Sequence, residues 1–129
     1  MARSLLGVIV GLDHVQVAAP PGSEAEARAF YGRLLGLDEL QKPGSLAGRG
    51  GAWFACGAQQ LHVGVDAGFT PAGKAHPALL AADLAAVAER LTGAGAAVHW
   101  DEEIPGVARF YTEDPWGNRL ELLAYEDSS

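Results

Sequence analysis

The chain repeats itself, and this constrains its fold more than any other feature. Residues of about 8–66 and of about 75–125 each read as strand, helix and three further strands. The offset is consistent: His14 to His76 is 62 residues, His62 to Glu121 is 59, and Gly36 to Gly95 is 59. Such a period marks two copies of one supersecondary unit. At 129 residues the two modules make one domain of ordinary size, spanning 1–129.

The local signals support this division. A helix is predicted over 23–36. Ser23 with Glu26 has the form of a capping box. Ala27, Phe30, Tyr31, Leu34 and Leu35 then form one apolar face, and Gly36 ends it. A second helix begins at Asp83 and carries Leu84, Val87, Ala88 and Leu91 on one side. Strands are expected at Val8–Ala18, Leu37–Gln41, Ala52–Cys56, Gln59–Asp66, His76–Ala82, Val98–Asp101, Ala108–Thr112 and Arg119–Tyr125. Gly57-Ala58 reads as a tight hairpin, and Asp114-Pro115-Trp116-Gly117-Asn118 as a turn. The apolar run Leu5–Leu12 is too short to span a bilayer and is read as the lead-in to a buried strand.

Charge narrows the partners. Nine Lys and Arg against 16 Asp and Glu give a net charge of −7. A chain without a basic stripe is a poor nucleic-acid binder, and anionic membrane surfaces repel it. A small-molecule substrate or a metal ion remains. A lone Cys56 excludes an intrachain disulfide framework and fits the reducing cytoplasm.

Strand alternation then groups the reactive side chains. His14 shares a face with Gln16, His62 with Gly64, His76 with Ala78, and Glu121 with Arg119 and Leu123. Three imidazoles and one carboxylate suit a divalent metal such as Zn, Ni, Mn or Fe. The plainer reading makes each His a surface or hydrogen-bonded residue, and Glu121 a solvent-facing one. The repeat links the four, because it puts them at equivalent places in two units. Arg109 and Tyr111 alternate on one strand and are candidates for holding a substrate carboxylate or phosphonate; the alternative is a solvated Arg beside a packed Tyr. Trp53 and Phe54 point to opposite faces, so one belongs to the core and one to a cleft or dimer contact. The glycine-rich stretch 44–51 reads as a flexible connection or a lid. Lys42 and Arg49 beside it read as surface charge, or as attraction for an anionic substrate.

These segments resemble the vicinal oxygen chelate superfamily, which includes glyoxalase I, bleomycin-resistance proteins, fosfomycin-resistance transferases and extradiol dioxygenases. The carrying motifs are Leu12-Asp13-His14-Val15, Ala29-Phe30-Tyr31 with Leu34-Leu35-Gly36-Leu37, Gln60-Leu61-His62-Val63, His76, and Asp114-Pro115-Trp116-Gly117-Asn118-Arg119-Leu120-Glu121-Leu122. The resemblance covers about residues 10–125. It implies an α+β fold of two tandem βαβββ modules forming a curled eight-stranded mixed sheet around a cleft, and a homodimer. By position it implies His14, His76 and Glu121 as metal ligands. His62 stands where glyoxalase I carries a fourth ligand, usually Glu, so it is expected as a ligand, a supporting residue or a proton carrier. His62 and Glu121 are the candidate catalytic groups, with Arg109, Tyr111 and Trp53 binding substrate. The implied activity is that of a metal-dependent lyase or isomerase. The alternatives are a metal-free drug-binding protein of the bleomycin-resistance type and a small extradiol-type dioxygenase.

Overall fold

A computed structural model describes residues 6–126. The strands are β1 (His14–Ala19), β2 (Glu39–Leu40), β3 (Ala52–Cys56), β4 (Gln59–Val65), β5 (Ala78–Leu80), β6 (His99–Asp101), β7 (Val107–Glu113) and β8 (Arg119–Tyr125). Helix α1 (Glu24–Ala27) continues as a π-helical segment, Arg28–Leu34, and α2 covers Leu84–Gly93. A short 3-10 turn occupies Gly44–Arg49.

The expectation of one curled eight-stranded sheet is corrected. The strands form two separate four-stranded sheets, ordered β1-β4-β3-β2 and β5-β8-β7-β6. Each half of the chain completes its own ladder, with β1 parallel to β4 and β5 parallel to β8. That leaves β1 and β5 as edges. No backbone ladder joins them among the described residues. At Ala18 the carbonyl of β1 instead accepts a hydrogen bond from the Asn118 side chain, at 2.7 Å. The halves are held together by packing and by such side-chain ties.

The core explains why this arrangement is stable. One face of the first sheet offers Val17, Ala19, Ala52, Phe54, Leu61 and Val63, all buried. The second sheet offers Phe110, Leu120 and Leu122, and the helices add Phe30, Tyr31, Leu84 and Leu91 to the same cluster. Removing this apolar surface from water is the main driving force. The turn motif supplies the polar anchor. Buried Asp114 accepts hydrogen bonds from the Tyr31 hydroxyl (2.7 Å), the backbone N–H groups of Trp116 and Asn118, and the Asn118 side chain. Burial, reinforced by the Asp114 charge, pushes the Tyr31 phenol well above its usual range.

Local expectations are corrected in three places. Ser23 makes no capping bond, and its buried hydroxyl has no hydrogen-bond partner among the described residues. The first helix is π-wound over most of its length, which turns both Phe30 and Tyr31 inward. Residues 6–12 are not part of a buried strand: β1 starts at His14, and Val10 and Leu12 are exposed. Leu5 lies outside the described residues. The predicted hairpin at Gly57 is found, with Cys56 facing Gln59 and Gly57 at φ +59°. Among the described residues no helix is long and apolar enough to cross a membrane.

Candidate active site

Each sheet buries one face and carries its reactive side chains on the other. In the first sheet, β4 lies between β1 and β3. Its Leu61 and Val63 enter the core, so His62 projects from the opposite face. His62 sits opposite Trp53 of β3 and Gln16 of β1. The indole and the imidazole lie parallel at 4.0 Å, and the His14 ring stacks on His62 at 4.1 Å. Since β4 is the middle strand, His62 is sandwiched between the other two rings. Its Nε2 pairs with Gln60 Oε1 at 2.8 Å, while His14 Nδ1 pairs with Asp13 Oδ1 at 2.9 Å. Burial lowers the His62 pKa, and the neighbouring His14 lowers it further against the pull of Asp13. Buried His62 is therefore biased toward neutral imidazole.

The second sheet carries the other two candidates. Glu121 on β8 faces Ala78 of β5 and Tyr111 of β7. His76 precedes β5 rather than lying within it. Its Nε2 is 3.1 Å from Glu121 Oε1, and its Nδ1 is 2.8 Å from the Lys74 carbonyl. Both ring nitrogens thus face oxygen atoms. The other Glu121 oxygen accepts from Arg109 at 3.3 Å, and Arg109 also donates to Asp101 at 3.2 Å. Burial would lower the Arg109 pKa, but these two bonds outweigh it and raise the value. The Tyr111 ring packs edge-on to His76 at 5.6 Å, with the Arg109 guanidinium 5.4 Å from its centre.

The seven candidate residues therefore fall into two groups. Trp53, His62 and His14 meet on the first sheet; His76, Glu121, Arg109 and Tyr111 meet on the second. Between the edge strands β1 and β5 lies a cleft of about 560 Å³, lined by Val15, Val17, His76 and Ala78 among others.

A divalent metal does not fit the donors of one chain in this arrangement. Among the described residues no three His, Cys, Asp or Glu side chains are grouped to hold an ion. The lone pair of an imidazole nitrogen lies in the ring plane. Two rings stacked within 13° of parallel do not converge on one point without rotating. Glu121 already satisfies both oxygens with His76 and Arg109.

Gln60 and Asp101 support this constellation and were not singled out in the sequence. Gln60 is two residues from His62 on the same strand face, so alternation alone could have found it. Asp101 was hidden in an acidic run, and only its pairing opposite Arg109 reveals its role.

Comparison with known proteins matches this geometry to a family. The family model for the glyoxalase-like domain matches residues 16–123. The chain belongs to the glyoxalase-like domain family. A crystal structure of a protein assigned to the glyoxalase family, from Bacillus anthracis, is 46% identical, with a TM-score of 0.89 over 98% of this chain and 100% of that one. Two more distant structures share the fold. Lactoylglutathione lyase from Agrobacterium tumefaciens has 23% identity, a TM-score of 0.68, and coverage of 90% of this chain and 94% of its own. A fosfomycin resistance protein from Listeria monocytogenes has 16% identity, a TM-score of 0.70, and coverage of 90% and 93%. A search of proteins with curated functions gives no match.

Proposed function

We propose that this protein is a metal-dependent lyase or isomerase acting on a small oxygen-rich substrate, working as a cytoplasmic homodimer. The observation that carries this reading is the division of the donors, one pair on each sheet. A catalytic zinc-type site uses about three protein ligands, so neither pair suffices alone. Two copies of the chain bring what each pair lacks: His14 from one, with His76 and Glu121 from the other, which leaves His62 off the ion. An ion held there would supply Lewis-acid stabilisation of two neighbouring substrate oxygens.

The chain's own residues do the rest. Neutral His62, fixed between two rings, accepts a proton, and Glu121 is the second proton carrier. Arg109 is tied to Asp101 and holds Glu121 in place. Tyr111 and Trp53 flank the substrate on the two open faces.

Metal content tests this reading. The purified chain is offered Mn²⁺, Fe²⁺, Ni²⁺ and Zn²⁺, and bound metal is measured by mass spectrometry. About one ion per chain is expected, lost in His76→Ala.

One observation favours a second reading, a metal-free small-molecule binder. The His76–Glu121–Arg109–Asp101 network is already internally satisfied. Less than about a tenth of an equivalent of every metal offered would select it.

A further inference from the structure

The glycine-rich connection does not hang free. It folds as the 3-10 turn Gly44–Arg49 beside a cavity of about 260 Å³, whose walls include Gln16, Lys42, Arg49, Trp53 and Gly64. We propose that this cavity is a subsite for the carboxylate group of a small substrate.

The charge argument comes first. The chain has a net charge of −7, yet two of its cations line this cavity, and the acid beside it, Glu24, packs behind Gly50. Two other arginines are engaged with carboxylates, Arg28 with Glu39 and Arg109 with Asp101 and Glu121, while Arg90 donates to the Arg33 carbonyl and Arg119 lies over the Tyr111 ring. Arg49 has no carboxylate partner among the described residues. Lys42 donates only to the Gly50 carbonyl, which closes the connection but leaves the ammonium charge uncompensated. A guanidinium presents a planar fork that matches a carboxylate.

The floor of the cavity is built for the same purpose. A Cβ on Gly64 would lie 2.6 Å from Gln16 Nε2, so the glycine lets the Gln16 amide lie close against β4. That amide has no hydrogen-bond partner of its own among the described residues, and its N–H groups are free to donate to an oxyanion.

Position gives the subsite its meaning. Trp53 is both a wall of this cavity and the ring stacked on His62. Gln16 sits opposite His62 in the ladder. A carboxylate held by Arg49 therefore lies beside Trp53 and Gln16, the two residues that adjoin His62. This deepens the enzymatic reading and rests on it for the meaning of that placement, but not for the binding itself.

The test uses metal-free full-length protein, so it is independent of metal content. Lactate, its neutral isostere lactamide and methylphosphonate are titrated while the Gln16 side-chain amide and the Trp53 indole N–H are followed by NMR. Lactate is expected to shift both signals saturably. Lactamide should bind at least about tenfold more weakly, since a charge-assisted bond is lost. Arg49→Gln should weaken lactate by a similar factor, Arg49→Lys by less, and Arg33→Gln not at all. Gly64→Ala should displace the Gln16 amide and also weaken lactate. Lactate shifts that are absent, matched by lactamide, or unchanged in Arg49→Gln overturn the proposal. Methylphosphonate binding more tightly than lactate overturns the carboxylate assignment. Lactate binding in a chain that takes up no metal keeps the subsite and removes the metal-dependent reading; metal uptake without lactate binding does the reverse.

Discussion

The imidazole of His62 lies 5° from parallel to the indole of Trp53, with ring centres 4.0 Å apart. The pair sits on neighbouring strands, directly opposite in register. This contact excludes water from His62 and contributes to the burial that lowers its pKa.

Trp53→Ala should therefore raise the His62 pKa toward the ordinary imidazole value of 6.5. The ring signals of His62, followed by NMR against pH, measure it. Because Trp53 is only half-buried, the accompanying loss of stability should be about 1–3 kcal/mol, below that of a full core truncation.

The same shift predicts an acid sensitivity of the metal-free fold. In the unfolded chain His62 takes up a proton near 6.5; in the folded chain it does so only at lower pH. Between those two values the unfolded state binds more protons. Stability should fall as the pH drops below 6.5 and level off below the folded value. His62→Gln should flatten this dependence in chemical denaturation series run at several pH values.

Tyr31→Phe removes one donor from the buried Asp114 carboxylate but leaves its three partners in the turn. A cost of about 1–3 kcal/mol is expected in urea denaturation. Asn118→Ala should cost at least as much, because it also frees the Ala18 carbonyl on β1.

Gly51→Ala should be among the most damaging single substitutions. Gly51 has φ +80°, and a Cβ there would lie 2.1 Å from the Val63 carbonyl oxygen. Both atoms belong to the paired β3–β4 backbone region, so neither can swing aside. A loss of about 3 kcal/mol or more is expected, read as a drop in the denaturation midpoint.

Much of this arrangement was legible in the sequence because it rests on period two. Leu61 and Val63 inside put His62 outside, and Leu120 and Leu122 do the same for Glu121. Asp83 as the N-cap of α2 was legible too, and its carboxylate accepts from the Ala86 N–H. Other features depend on contacts between distant residues. That the strands divide into two sheets is decided by which edges pair, and β1 carries no local mark against pairing with β5. The ties of Arg109 to Asp101 and Glu121 require β6, β7 and β8 to lie side by side. Ser23 and Glu26 had the form of a capping box, but burial of Phe30 and Tyr31 on a π-wound helix prevailed over the local signal.

The central claim is that the two donor pairs complete one another between two copies of the chain. Co-expression of His14→Ala and His76→Ala chains under two different affinity tags tests it most directly, with the mixed dimer isolated and its metal measured. Each homodimer should lack metal. The mixed dimer should regain about one ion, because one of its two sites then takes His14 from one chain and His76 and Glu121 from the other. A mixed dimer as empty as its parents, while wild type is loaded, would contradict the claim and place each site within a single chain.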